Sequence, residues 1–145
     1  MHNDKAERGM IMLNKSPSGS LCPYYYMGGE LYPLKYGSYF ENSSELLKVM
    51  AAEEAFVLSS PGQHNRRIWV DLYETKLDDA VISALARHIK AIEHKILKLC
   101  FVGCSPGNIK KIKKQFEHNQ ISIPEPVRFF ADPEEAKWWL VGAGG

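Results

Sequence analysis

Cysteine is scarce in this chain. The three thiols, Cys22, Cys100 and Cys104, are odd in number and irregular in spacing, which excludes a disulfide framework. Cys100 and Cys104 bracket an apolar run that reads as a strand. They are expected to be reduced thiols packed in the core, with Cys104 where the strand opens into a loop. Charge of one sign is missing as well. Eighteen Lys and Arg face seventeen Asp and Glu for a formal net charge of +1, so no global field draws the chain to nucleic acid or to an anionic membrane. No apolar stretch approaches the roughly 20 residues that span a bilayer. The polar start, Met1-His2-Asn3-Asp4-Lys5-Ala6-Glu7-Arg8, is not followed by the apolar core of a signal peptide. These absences lead to the expectation of a cytoplasmic protein with no membrane span and no nucleic-acid partner.

Signatures of chemistry are equally sparse. The five histidines, His2, His64, His88, His94 and His118, include no pair at a metal-binding spacing. His88 is expected to be packed beside an apolar helix stripe, and His64 to lie in a solvated loop with Gln63, Asn65, Arg66 and Arg67. Gly103-Cys104-Ser105-Pro106-Gly107-Asn108 follows a strand and opens a helix, the setting in which backbone N–H groups capture phosphate. It lacks the Gly-Lys-Ser/Thr ending of a phosphate-binding loop and reads as an ordinary turn. Glu53-Glu54 and Glu134-Glu135 are adjacent and diverge on a helix, so neither reads as an acid/base pair. Lys110, Lys111, Lys113 and Lys114 form one solvated helix face. No catalytic residue, no metal and no cofactor is therefore expected.

The apolar pattern carries more information. Hydrophobic residues make up 45% of the 145 and charged residues 24%, enough for one globular domain with a core. Residues 1–20, which include the linker-like Lys15-Ser16-Pro17-Ser18-Gly19-Ser20, read as a flexible tail, and residues 21–141 as the domain. Tyrosines interleaved with Gly28, Gly29, Pro33 and Gly37 suggest two short strands over 24–27 and 31–35, joined at Gly28-Gly29. Asn42, Ser43 and Ser44 offer caps to a helix running to about Phe56, with Leu46, Leu47, Met50 and Ala51 at helical spacing. Arg67-Ile68-Trp69-Val70-Asp71-Leu72 reads as a strand. Asp78 or Asp79 caps a long helix whose stripe Ile82, Leu85, Ile89, Ile92, Ile96 recurs every three or four residues. A nearly all-apolar strand over 97–103 follows, as a buried parallel strand would read. A helix with Ile109, Ile112 and Phe116 on one face comes next, then a strand over 127–130. Asp132-Pro133-Glu134-Glu135 combines an N-cap, a first-turn proline and acids, and starts a last helix with Ala136, Trp139 and Leu140 inward. Strands alternating with helices predict an α/β fold: a mixed, mostly parallel sheet of four to five strands with helices packed on it.

This order resembles that of STAS domains, the sulfate-transporter and anti-sigma-factor-antagonist family, over residues 42–141, about two thirds of the chain. Three segments carry the likeness: Arg67-Ile68-Trp69-Val70-Asp71-Leu72, Ile96 through Pro106, and Val127 through Leu140. The last is similar to the SpoIIAA-like branch. The resemblance implies a non-catalytic regulatory domain that binds another protein, such as a kinase-type anti-sigma factor. Family members are phosphorylated on a serine within an Asp-Ser-Ser-Gly-type motif where the long helix starts. The matching stretch here is Asp78-Asp79-Ala80, so Asp79 stands in the phosphoacceptor's place, and Ser83 lies a full turn further on. The expected interaction surface is Asp78, Asp79 and Ser83 with Ser105 and Asn108 of the neighbouring loop, and without the serine switch. Asp79 supplies about one negative charge permanently, where a phosphate would supply up to two; as helix starters, Asp78 and Asp79 are also plain N-caps. The other expectation is a small-molecule or lipid-binding module with an apolar pocket lined by the N-terminal tyrosines.

Overall fold

The computed structural model describes residues 14–142. A small antiparallel pair, β1 (Asn14–Lys15) and β2 (Leu21–Cys22), precedes a five-stranded sheet. The sheet comprises β3 (Tyr24–Tyr26), β4 (Gly29–Lys35), β5 (Arg66–Asp71), β6 (Ile96–Val102) and β7 (Arg128–Phe130), side by side in chain order. Four helices, α1 (Ser43–Leu58), α2 (Asp79–Ile92), α3 (Pro106–His118) and α4 (Pro133–Val141), alternate with the strands from β4 onward. Within this sheet β3 runs antiparallel to its neighbour, and β4 through β7 are parallel. The architecture is α/β with a mixed, mostly parallel sheet.

Of the expected tail, residues 1–13 lie outside the described residues. Residues 14–20 belong to the β1–β2 hairpin, which buries Ser16 and Ser20. The Ser20 hydroxyl donates to the Pro33 carbonyl at 2.8 Å. Within a strand the N–H and C=O of one residue point the same way, so Pro33 turns its missing donor toward the side where β3 has already ended, and no ladder bond is lost. The β3–β4 loop is Met27-Gly28, both with positive φ (49° and 84°), as a two-residue hairpin turn of the primed type requires. Gly29, already in β4, is a glycine for a different reason: a Cβ there would stand 2.7 Å from the side chain of Val141.

The strand pleat divides the core. Tyr32, Leu34, Ile68, Val70, Leu99 and Phe101 point to one face, where Leu46, Met50 and Val57 of α1, Ile82, Leu85, Ile89 and Ile92 of α2, and Ile112 of α3 cover them. Leu31, Cys100 and Val102 point to the other, where Ala136 and Leu140 of α4 meet them. Cys100 is buried and its thiol is pushed up to about 12 by desolvation; Cys104 is half-buried and pushed up to about 11 by the same cause, so both are poor nucleophiles near neutrality.

One expected stripe residue belongs elsewhere. Ile96 does not extend the α2 face; α2 stops at Ile92, a single 3-10 turn spans Glu93–Lys95, and Ile96 opens β6 beside Arg66. The helix is stopped by its neighbours. The His64 and Asn65 amides donate to the carbonyls of His94 and Lys95, and the Lys95 ammonium caps the carbonyls of Ser60 and Gly62 at 2.6 and 2.9 Å.

Ile68 and Leu99 sit fully buried on the central strands. Ile68→Ala and Leu99→Ala are each expected to lower unfolding free energy by about 2–5 kcal/mol in urea denaturation, whereas Leu47→Ala on the exposed side of α1 shifts it by less than about 0.5 kcal/mol.

Candidate functional site

Because β4 to β7 are parallel, all four end at one edge of the sheet, and their outgoing loops meet there. In open α/β sheets this is the edge at which ligands bind. The loops after β4 and β5 interlock. The Ser38 amide donates to Tyr73 O, the Phe40 amide to Glu74 O, and the Lys76 amide returns to Phe40 O, with N···O distances of 2.6, 2.8 and 2.8 Å. The Thr75 hydroxyl donates to Tyr36 O at 2.7 Å and the Ser38 hydroxyl to the Glu74 carboxylate at 2.8 Å.

Tyr73 lies at the centre of this edge. Its amide is held by the Asp71 carboxylate at 3.0 Å, and its hydroxyl donates to the carbonyl of Ala131 in the loop after β7. Two glycines exist to make room for it. A Cβ at Gly37 would approach the Tyr73 carbonyl to 2.9 Å, and one at Gly103, which also has φ +91°, would approach the Tyr73 amide to 2.9 Å. Tyr73 thus joins the loops after β4, β5, β6 and β7.

Strain accompanies exposure at the same place. Ser38, Phe40 and Glu74 all take positive φ (61°, 51° and 54°), a conformation that costs a bulky side chain of order 1 kcal/mol or more. Yet Phe40 is left 61% exposed and Tyr73 40% exposed, and the same loops with the start of α2 form a charged rim in which Glu41, Glu74, Lys76, Asp78 and Asp79 are exposed.

The expected surface residues fall around this rim. Asp78 is the N-cap of α2, its carboxylate accepting from the Val81 amide at 2.9 Å. Asp79 is in the first turn with its side chain 89% exposed, 3.2 Å from the Lys111 ammonium of α3. Ser105 caps α3 by accepting from the Asn108 amide at 3.2 Å. The starts of α2 and α3 therefore share one edge. Ser83 stands apart, a turn down α2, where it accepts from Arg87 at 2.8 Å. Phe40 and Tyr73 escaped the sequence reading. A glycine just past each of two strands, Gly37 two residues after β4 and Gly103 directly after β6, was the available signal that something large approaches there.

Beneath the edge, polar groups are threaded through the core. Tyr36, fully buried, donates its hydroxyl to Nε2 of buried His88 at 2.7 Å, and Nδ1–H of His88 donates to the Glu54 carboxylate at 3.1 Å. This partner set assigns a neutral imidazole protonated on Nδ1. Desolvation holds the His88 pKa below its ordinary value despite the pull of Glu54, and holds the Tyr36 hydroxyl far above its own. Glu53, also buried, accepts from the Tyr32 hydroxyl at 2.9 Å and from the Ser18 amide at 2.8 Å. The adjacent glutamates diverge, Glu53 to Tyr32 of β4 and to Ser18, Glu54 to His88 of α2, since α1 is flanked by both β4 and α2. Each group is satisfied within the fold, and among the described residues no three His, Cys, Asp or Glu side chains cluster as a metal site.

The tyrosine-lined pocket does not form as expected. Tyr32 and Tyr36 are core residues, and Tyr25 is exposed. A groove of about 550 Å³ does exist on the α4 face, but Tyr26 is the one tyrosine lining it; Phe130, Trp138 and Trp139 supply the other rings. Among the described residues no helix is long and apolar enough to cross a membrane. No family model, curated protein or solved structure matches the chain.

Two outcomes follow from this geometry. Asparagine tolerates positive φ better than phenylalanine, so Phe40→Asn is expected to leave the melting temperature unchanged or raise it by a degree or more; a clear fall would contradict the exposed, strained placement. Below about pH 6.5 the unfolded chain takes up a proton at residue 88 that the folded chain refuses. This group's stabilisation is intact above that pH and declines as pH falls toward its lowered folded-state pKa. Urea midpoints measured from pH 7.5 to 5.5 should fall more steeply for wild type than for His88→Gln; equal slopes would contradict it.

Proposed function

We propose that the chain is a non-catalytic protein-interaction domain that docks a regulatory partner on the edge formed by the loops after β4 to β7. The observation that carries this reading is Phe40. A large apolar ring is held in a strained backbone conformation and turned to solvent, where it adds little to the fold. Natural chains retain such strain chiefly where a site needs it. Exposed aromatic groups inside a charged rim are the usual anatomy of a docking patch. Here the rim is predominantly acidic, through Glu41, Glu74, Asp78 and Asp79, which favours a partner presenting basic groups around an apolar side chain.

The STAS-like element order supports the same reading. It implies a partner of the kinase-type anti-sigma-factor class or a related regulator. Asp79 occupies the expected phosphoacceptor position and already carries a charge, paired with Lys111. We therefore propose binding without a serine switch, and with a permanent charge at the start of α2.

Affinity capture with the wild-type chain, Asp79→Lys, Phe40→Asn and the distant surface variant Lys48→Glu tests the proposal. Partners retained by wild type and Lys48→Glu should be lost or weakened at least tenfold with Asp79→Lys and with Phe40→Asn. The same partners at the same level on all four proteins would overturn the assignment of this edge.

A further inference from the structure

The face of the sheet beneath α4 collects three cations that form no ion pair among the described residues. Arg67 on β5 and Lys98 on β6 are direct cross-strand partners, so two like charges stand side by side. Such pairing is destabilising. Arg128 on β7, paired with Cys100, adds a third cation to the same face. Lys98 is 5% exposed; its ammonium donates to the Trp139 carbonyl at 3.1 Å and lies 4.9 Å from the Trp139 ring. The Arg128 guanidinium lies 5.2 Å from that same ring. Among the described residues none of these three joins an ion pair, whereas Arg66 pairs with Glu30 and Lys137 with Glu134. The Arg67 Nε–H and the Trp69 indole N–H, both from this face, are buried with no acceptor. Burial and the neighbouring Arg67 and Arg128 charges push the Lys98 pKa down, with Glu125 opposing them.

Buried charges are ordinarily paired and buried donors bonded, so this face is electrostatically one-sided. Beside it runs the groove of about 550 Å³, within the size range of small-ligand sites. Arg128 is its cation, Phe130, Trp138 and Trp139 are its apolar walls, and Trp138 is 59% exposed. Of its two carboxylates, Glu134 is already neutralised by Lys137 at 2.6 Å and bonded by the Tyr26 hydroxyl at 3.1 Å, and Glu135 sits in the first turn of α4.

We propose that this groove binds a small aromatic anion, its carboxylate, sulfonate or phosphate seated on Arg128 and its flat body against Phe130, Trp138 and Trp139. Lys98 and Arg67 supply positive charge behind the anionic group and hold no competing carboxylate. The guanidinium gives the bidentate recognition that suits a planar or tetrahedral oxyanion. The indole rings provide stacking surface that accepts any flat ring system. This site lies on the opposite side of the fold from Lys48 and is built from none of the residues that form the protein-docking edge.

The probe is naphthalene-2-sulfonate, titrated into the full chain and followed by the indole N–H signals in two-dimensional NMR, with 2-naphthol and sodium sulfate as parallel arms. The sulfonate should shift the Trp138 and Trp139 signals and bind at least tenfold more tightly than either the neutral ring or the bare anion. Arg128→Gln should weaken it at least fivefold, Arg128→Lys by less than Arg128→Gln because the charge remains but the bidentate fork is lost, and Asp79→Lys not at all. Equal affinity for 2-naphthol would reduce the site to an apolar groove and overturn the proposal. Equal affinity for sulfate would remove the aromatic requirement and overturn it too. Undiminished binding by Arg128→Gln, with its melting temperature at the wild-type value, would do the same.

Discussion

Each connection from β4 onward carries the chain to the next strand in the same direction, and this constraint places everything else. Right-handed crossovers between strands laid down in sequence order put their helices on one face. That is where α1, α2 and α3 pack, over the larger core. The other face receives α4 alone, with its nine residues. A helix of that length is about 14 Å long and about 10 Å across. Five strands at about 4.8 Å spacing make a sheet about 24 Å wide. One short helix cannot cover it. On this thinly covered face Lys98 lies buried against the Trp139 backbone of α4, with Arg67 and Arg128 on the same face and Trp138 and Trp139 on α4 itself, so its one-sided charge is a consequence of topology as well as of composition.

The same constraint makes the edge proposed for docking. Parallel strands end together, and their four outgoing loops must share one strip of surface. Tyr73 lets them share it by bonding to Asp71 and Ala131, with the backbone of Gly37 and Gly103 close against it. The strip is stiff because it is cross-bonded, which is what allows Phe40 to remain in a costly conformation facing water. Behind it, Tyr36–His88–Glu54 and Tyr32–Glu53 tie α1 and α2 to β4 through directional bonds that an apolar core would lack. Fixing two helices against one strand holds their starting points, and so the positions of Asp78 and Asp79, in register with the loops.

Local rules made most of the architecture legible in the sequence. The apolar recurrence from Ile82 to Ile92, the Asp132-Pro133 start of α4 and the all-apolar β6 each state their own structure, and the alternation of elements then implies the parallel sheet. Ile96 misled because a strand residue and a helix residue can both be buried on the same face, and only the bonds of Lys95 and His94 to the preceding loop show where the helix stops. Glu53 and Phe40 violate the ordinary link between polarity and burial in opposite senses, and such violations depend on neighbours far along the chain. The cross-strand meeting of Arg67 with Lys98 depends on register, which no local pattern encodes. At the edge where β4 to β7 end, the caps Asp78 and Ser105 were readable as helix starts; that they share this edge with Tyr73 and Phe40 follows from the strand order.

Site-specific photocrosslinking in cells tests the central claim most directly. A benzophenone side chain placed in turn at Phe40, Lys76 and Ser105 on the docking edge, and at Lys48 and Gln63 away from it, reads which surface meets a partner. The account predicts one common adduct from the three edge positions and none from residues 48 and 63. An adduct that forms from residues 48 or 63 while all three edge positions stay silent would contradict it.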